Sequence, residues 1–584
     1  MNFYRLAFAS ALIACASSVA EAAPVYVEPT DTSTVDVSGW DTAPDAALIA
    51  GWVSKNPHYR QRVYVPGVAR RDTVVTAWRG ERIGLEALLE SKPGCGPLSL
   101  RFAALTDSRG NAVDAPGSSA SFMRFVTTTH WNACGYPSDT LPTFTVPDMI
   151  DLPDAEVSVP ARTVRPVWCT VEVPRDIAPG AYTARLEVCD AGDGRVLDTL
   201  TARIEVNARQ LPSPHDYAFY LDLWQQPYAI ARYYGVKPWS EEHLRLLEPY
   251  ADMLARAGQK TVSAILFYEP WGEQSHDKFE PMVETTLMPD GSWKYDYTIF
   301  DRWVEFMASR GIDANISCFT MIPWEMKFRY FDKAKGAFDF LEAKSDSPEY
   351  KALWTDFLQA LASHLRAKGW YDKTYIVMDE RGLQDMLNAY RVAQEAVPGI
   401  RMSLAGSYHP ELVNDLESYT LIKGDFFPAS VMKSRRDKGY LTLMYTCCAT
   451  PAPSQFSNSA PADGAYLPVY STATGHDGYL HWSFMNWTDN PLVDSRFRMF
   501  APGDTFFVYP DGRSSVRYER MLEGIQMSEK LRLLRREITA AGDMERMQAL
   551  EQALLPVRTG AMNSWTPTSQ IVDDLQRDIE TLSR

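Results

Sequence analysis

Cysteine is scarce in this chain, with 8 among 584 residues. That density excludes a disulfide scaffold, and no C-x-x-C or His-rich spacing is present to hold a metal. Neither a metal nor a cofactor is expected. Seven cysteines follow Cys15, an odd number: Cys95, Cys134, Cys169, Cys189, Cys318, Cys447 and Cys448. Cys169 and Cys189 are expected on two neighbouring strands in opposite side-chain phase, which argues against a bond between them. The adjacent Cys447 and Cys448 read as packing residues rather than metal ligands. Positive charge is also in deficit. With 58 Lys and Arg against 74 Asp and Glu, the net charge is -16, which disfavours nucleic acid or anionic lipid as the main partner. No run beyond the amino terminus is apolar for long enough to cross a bilayer. Internal repeats and low-complexity tracts are lacking as well.

What is present is the composition of a large globular protein, 46% hydrophobic and 23% charged, with 16 Trp and 29 Tyr. The length calls for more than one hydrophobic core. Residues 1–22 read as an export signal. Arg5 is the only charge in the first 20 residues, and the apolar run Leu6 to Ala14 is too short to span a membrane. Two processing routes stand side by side. Ala20-Glu21-Ala22 is an A-x-A cleavage site, and Leu12-Ile13-Ala14-Cys15 resembles a bacterial lipobox that would lipidate Cys15. Either way an exported bacterial protein is expected: periplasmic, secreted or lipid-anchored at the cell surface.

Residues 24–210 alternate apolar and polar with period two. Examples are Leu98, Leu100, Phe102, Ala104 and Leu200, Ala202, Ile204, Val206, with a turn at Asp176-Ile177-Ala178-Pro179-Gly180. This predicts a β-sandwich. Leu211-Pro212-Ser213-Pro214 reads as a linker. Strands and helices then alternate over 215–535, with strands at Tyr217–Trp224, Thr261–Phe267, Ile312–Phe319, Thr374–Met378, Arg401–Ala405, Gly424–Phe427, Leu441–Thr446 and Gly478–Phe484. Eight strands with helices between many of them predict a (β/α)₈ TIM-like barrel. Residues 536–584 are expected to form a C-terminal helical appendage.

Asp379 and Glu380 end the fourth barrel strand, Thr374–Met378. A barrel places its chemistry at the strand ends facing the mouth. The alternative is that one acid merely caps the helix starting near Gly382. Two acids suit acid/base work on a polar, uncharged substrate, and a sugar fits best. An ordinary retaining glycosidase holds its two carboxyls about 5–5.5 Å apart, on opposite sides of the scissile bond. Neighbouring Cα atoms lie about 3.8 Å apart, so the spacing is reachable, but opposite faces of one sugar are awkward from one strand end. If the sugar's own 2-acetamido oxygen attacks instead, one carboxyl protonates the leaving oxygen and the other holds the acetamido N–H. Their pKa values should then separate.

Around the pair, Trp482, Asn486 and Trp487 follow the last strand. The two indoles suit the walls of a sugar pocket and the amide suits a hydroxyl contact. Tyr445 ends the strand before and could offer its phenol to an acetamido oxygen. Trp271 and Trp324, just past the second and third strands, are further lining candidates. Core packing is the competing explanation for each aromatic. Asp504, in Pro502-Gly503-Asp504-Thr505, reads as a turn residue.

The sandwich-then-barrel order and the motifs Tyr375 to Arg381, Tyr445-Thr446-Cys447-Cys448, Trp487 to Phe497 and Gly503 to Pro510 resemble the family 123 glycoside hydrolases. These are β-N-acetylgalactosaminidases that work by substrate assistance. The resemblance implies Glu380 as general acid and Asp379 as the acetamido-orienting residue, with a glycan or glycolipid bearing terminal β-linked N-acetylgalactosamine as substrate. Gln526-Met527 depart from the resembled pattern, in a helix that often carries acids. A β-N-acetylglucosaminidase, a two-carboxylate glycosidase on non-acetamido sugars and a non-catalytic surface glycan-binding protein remain as alternatives.

Overall fold

A computed structural model describes residues 26–130, 140–450, 452–560 and 566–584. The expected export signal, with Cys15, and Cys134 lie outside the described residues. The N-terminal region is a sandwich of two mainly antiparallel sheets. One sheet contains Arg82–Ser91 and Thr163–Glu172 at its centre, and the other contains Val196–Gln210 and Gly180–Asp190. Alternate residues such as Leu186, Val188, Leu200, Ala202 and Ile204 meet Val167, Cys169 and Val171 in the core between the sheets. Cys169 and Cys189 thus belong to different sheets rather than to neighbouring strands, and both thiols are free.

The second region is a barrel of eight parallel strands. They are β1 (Tyr220–Leu223), β2 (Thr261–Ile265), β3 (Asn315–Phe319), β4 (Thr374–Met378), β5 (Met402–Ala405), β6 (Ser418–Ile422), β7 (Leu441–Tyr445) and β8 (Gly478–His481). Seven of these match the expected positions. The sixth does not: Gly424–Phe427 lies in the turn and coil that follow β6. Ser418–Ile422 was hidden because Ser, Tyr and Thr interrupt its apolar run, although the first four of its residues are buried. Local capping signals set the helix ends. Ser347 accepts a hydrogen bond from Tyr350 N at 3.2 Å to open the helix Pro348–Lys368, and Gly369 closes it in the left-handed conformation. A four-stranded sheet, built from excursions after β2 and β3, is an addition that the sequence reading lacked.

The ladder is continuous from β2 through β3–β8 to β1, and the seam lies between β1 and β2. There, one parallel bridge joins Leu221 and Gln259. The buried Gln259 side chain replaces the missing ladder: its Oε1 accepts from Leu223 N at 2.9 Å, and its Nε2 donates to Leu223 O at 3.1 Å and to Thr261 O at 2.8 Å. Gln225 adds an acceptor for Ser263 N at 2.8 Å. Gln259→Leu leaves the Leu223 N–H buried without an acceptor. A loss of about 1–3 kcal/mol is expected, read as a lower thermal midpoint with unchanged far-UV circular dichroism.

The barrel is fused to the sandwich. Ser514–Ser515 adds an antiparallel strand to the sandwich strand Thr143–Ile150. The helix Val516–Ala541 then starts with its Ser515 cap and runs unbroken through position 535. It lays polar groups onto the sandwich: Arg82 Nε donates to Glu519 Oε2 at 2.8 Å, and Lys55 Nζ to Glu523 Oε1 at 2.6 Å. Gln526 accepts from Arg82 N at 2.7 Å and donates to Arg82 O at 2.8 Å. An ionised acid could not make both bonds, so the departure from the resembled pattern has a packing reason. Two further helices, Met544–Gly560 and Thr568–Leu582, complete the C-terminal helical segment.

Candidate active site

The five residues of β4 are all buried, and the chain turns sharply where the strand stops. Glu380 N donates to Asp379 Oδ1 at 2.8 Å, and Arg381 N to Asp379 O at 2.7 Å. This turn breaks the pleat, so two consecutive side chains face one cleft. Neither acid caps the next helix, Leu383–Ala396. Its N-cap is Gly382, which has no side chain to offer. The cleft opens at the C-terminal mouth of the barrel, with a cavity volume of about 160 Å³.

Asp379 is the deeper of the two acids, and Glu380 is exposed to the cleft. Burial, reinforced by the neighbouring Glu380 charge, pushes the Asp379 carboxyl up to about 6. The Trp271 indole N–H favours the anion from its flank without closing a hydrogen bond of ordinary geometry. The upward displacement thus falls on the residue expected to act as the anion. At neutral pH a carboxyl with that value is still mostly ionised. The Tyr445 hydroxyl donates to Glu380 Oε1. Its own ionisation is driven far upward by burial and by the Glu380 charge, so it stays a donor. The phenol is therefore given to Glu380 rather than left free for an acetamido oxygen.

Aromatic rings form the walls. Trp271 stacks on Trp224 with centroids 5.5 Å apart and an interplanar angle of 20°. Trp324 keeps 38% of its surface exposed at the cleft, with the Arg381 guanidinium 4.8 Å from its ring centroid. Trp482 lies against Phe500 at 5.0 Å, and its Nε1 donates to Asp504 Oδ2 at 3.1 Å. The structure therefore gathers Asp379, Glu380, Tyr445, Trp271, Trp324 and Trp482 around one space.

Asn486 and Trp487 are not among these residues. Asn486 is buried away from the cleft, where its Oδ1 accepts from His276 N at 2.9 Å and tethers the loop after β2. Trp487 has no exposed surface; its Nε1 donates to Val508 O at 2.7 Å and its ring packs on Tyr233 and Tyr250. The loop after β8 turns back under the barrel rim, so residues near the mouth in sequence enter the core in space.

Asp504 corrects the reading in the other direction. It is fully buried in the cleft wall rather than exposed in a turn, and burial pushes its carboxyl up to about 7 against the Trp482 donor and the Arg517 charge. No local pattern marked it. Trp224 also lines the cleft, at the C-terminal end of β1 where the rule that points to Asp379 applies as well. At the rim, burial raises the free Cys447 thiol to about 11, so it is neutral. Cys448 is disulfide-bonded, not the simple packing residue expected.

Comparison with known proteins agrees with this architecture. Residues 224–534 match the family model for the glycoside hydrolase 123 catalytic domain, and residues 52–190 match the glycoside hydrolase 123 N-terminal domain. A solved family 123 glycoside hydrolase from Clostridium perfringens, analysed for glycolipid glycan hydrolysis, matches with a TM-score of 0.82 and 22% identity, over 92% of this chain and 98% of its own. At that identity the likeness shows the fold. A cell-surface-expressed chitinase from Paenibacillus sp. str. FPU-7 reaches a TM-score of only 0.21 at 9% identity, over 76% of this chain and 55% of its own, and bears on nothing further. No curated protein matches the chain. The catalytic-domain model spans more than half of the sequence, and the chain belongs to glycoside hydrolase family 123.

Proposed function

We propose that this glycoside hydrolase removes terminal β-linked N-acetylgalactosamine by substrate-assisted catalysis with retention of configuration. The observation that carries the reading is the turn after β4, which aims two adjacent, uncapped carboxyls into one cleft. Their adjacency disfavours an acid and a nucleophile on opposite faces of one sugar. In the proposed first step Glu380 protonates the glycosidic oxygen as the acetamido carbonyl oxygen bonds to the anomeric carbon. The aglycone leaves as an alcohol. The resulting oxazolinium keeps its N–H on the Asp379 carboxylate, which offsets its positive charge. Glu380, now an anion, takes a proton from water as that water opens the ring, which returns a β-configured sugar. The exposed Trp324 and the rings of Trp271 and Trp482 offer apolar faces to the sugar's C–H groups.

The Clostridium perfringens relative was analysed for glycolipid glycan hydrolysis, which supports a glycan or glycolipid carrying the terminal sugar as the substrate class. The amino-terminal signal would place the enzyme outside the cytoplasm, released after Ala22 or lipid-anchored at Cys15. A panel of aryl β-glycosides of N-acetylgalactosamine, N-acetylglucosamine, galactose and glucose, with an acetamido-sugar thiazoline as inhibitor, tests the assignment. Turnover of the N-acetylgalactoside with thiazoline inhibition is expected. Preference for the N-acetylglucoside would move the substrate, and binding without turnover would end the enzymatic reading.

Asp504 favours a second reading, because a third carboxyl in the cleft could serve a two-carboxylate mechanism on plain sugars. Its burial and its bond to Trp482 make it part of the wall instead. Turnover of the plain β-galactoside at a rate comparable to the N-acetylgalactoside would support the second reading. The same panel checks Tyr445. Tyr445→Phe removes the hydroxyl that donates to Glu380 Oε1. The value of kcat/KM should fall by about tenfold, the worth of a hydrogen bond to a charged group; an unchanged value would separate Tyr445 from the acid.

A further inference from the structure

A fully buried ion pair joins the two domains beneath the cleft wall. Arg517, on the helix after the barrel, and Asp148, on the sandwich strand Thr143–Ile150, retain 1% and 0% side-chain exposure. All five guanidinium N–H groups have acceptors. Nε donates to Asp148 Oδ1 at 2.9 Å, and Nη2 donates to Asp148 Oδ2 at 2.9 Å and to Phe506 O at 2.9 Å. Nη1 donates to Gln455 O and to Gly503 O, each at 2.8 Å. Tyr509 Oη donates to Asp148 Oδ2 at 2.6 Å. The two carbonyls at Gly503 and Phe506 bracket Asp504. Gly503 is itself required there: its φ is 76°, and a Cβ would meet Ser457 at 3.0 Å and the Arg517 Cζ at 3.1 Å.

Asp504 passes the constraint on, since its Oδ2 accepts from Trp482 Nε1 and its backbone oxygen from His481 Nε2 at 2.7 Å. A second sandwich strand, Ser119–Thr129, braces the neighbouring loop: Thr127 N donates to Val493 O at 2.8 Å, and Ser495 N to Thr127 O at 3.1 Å. A buried ion pair is weak evidence for stability, because well-packed apolar residues often serve as well. A guanidinium fork bonded to two carbonyls of one loop does something apolar groups cannot, which is to fix that loop's backbone.

We propose that the N-terminal sandwich is a working part of the active site: Asp148, through Arg517, fixes the Gly503–Phe506 loop and so sets Asp504 and Trp482 as the wall against which the sugar is held. Asp148 and Arg517 are positioning residues. The inference rests on the reading of this cleft as the active site. A misplacement of about 1 Å at such a wall can cost on the order of a hundredfold in rate.

The test uses the full chain. Arg517→Lys keeps a charge beside Asp148 but cannot bond both loop carbonyls. Well below its thermal midpoint, kcat/KM on the aryl N-acetylgalactoside should fall at least tenfold, with kcat carrying most of the loss. Asp504→Asn should also lower it, and the double variant should be less damaging than the product of the two. Asp151→Asn is the control. Asp151 pairs with Arg513 across the same domain junction at 2.8 Å but does not touch the loop, so kcat/KM should stay within twofold. A folded Arg517→Lys enzyme within twofold of wild type would overturn the inference, as would an equal loss in Asp151→Asn or strict multiplicativity of the pair. Should Arg517→Lys fail to fold, Tyr509→Phe carries the test, because it takes one hydrogen bond from Asp148 and orphans no charge. A threefold fall supports the inference and an unchanged kcat/KM overturns it. A wild-type enzyme that turns over no member of the panel would defeat the active-site reading itself, whereas turnover indifferent to these variants defeats only the role of the sandwich.

Discussion

Glu380→Gln should lower kcat/KM on glycan substrates by about 10²–10⁴-fold, the ordinary contribution of a positioned proton donor. The same variant should lose far less on aryl glycosides with strongly acidic phenols. A sugar alcohol cannot leave as its anion at neutral pH and needs the proton in the transition state. An activated phenolate leaves without it. The divergence between the two substrate classes, rather than the size of either loss, identifies the acid. Comparable small losses on both classes would remove Glu380 from that role. The amide is close in volume to the acid, and Glu380 faces the open cleft, so little change in thermal midpoint should accompany the loss.

Asp379→Asn should behave differently, with a loss of about 10²–10³-fold on both classes, because the charge that stabilises an oxazolinium is needed whatever the leaving group. The pH dependence carries the sign. Burial and the Glu380 charge raise the Asp379 carboxyl to about 6, and the anion is the form that the proposed mechanism uses. Wild-type kcat/KM should therefore rise with pH through about 6 and level off above it; the asparagine variant should lack this limb. Folding responds in the opposite sense. A carboxyl whose folded value is raised makes ionisation unfavourable in the native state. That cost is absent below the unfolded value near 4 and fully imposed above about 6. Asp379→Asn should thus raise the thermal midpoint at pH 7 while slowing the enzyme. A variant with a lowered midpoint and a retained acid limb would sink the assignment.

The adjacent acid pair at the end of β4 was legible in the sequence because its evidence is local. Tyr375-Ile376-Val377-Met378 alternates too little to be a half-exposed strand, so it reads as buried on both faces, and the acids at its end follow by covalent connection. The sandwich strands were legible because period-two alternation survives any packing that buries one face. The sixth barrel strand was not, since Ser418-Tyr419-Thr420 buries polar side chains and resembles a loop. Side chains on loops were the least legible. Trp482 and Trp487 are both aromatic and five positions apart beyond the same strand, yet one walls the cleft and the other has no exposed surface. Nothing between them in the sequence distinguishes the two, because the path of that loop depends on contacts made hundreds of residues away.

The sequence by itself determined the order of domains, the strand β4 and the two adjacent carboxyls at its end. Those properties follow from covalent neighbours and short-range periodicity. Only the tertiary structure decided that both carboxyls clear the helix cap and open into one cleft, that Tyr445 serves Glu380, and that Asp504 belongs to the wall. It also decided that a sandwich aspartate reaches that wall through Arg517 across a separation of 369 residues. Burial and hydrogen-bond partnership are long-range quantities. They come into being when distant segments exclude water from each other, and no window of local sequence contains them.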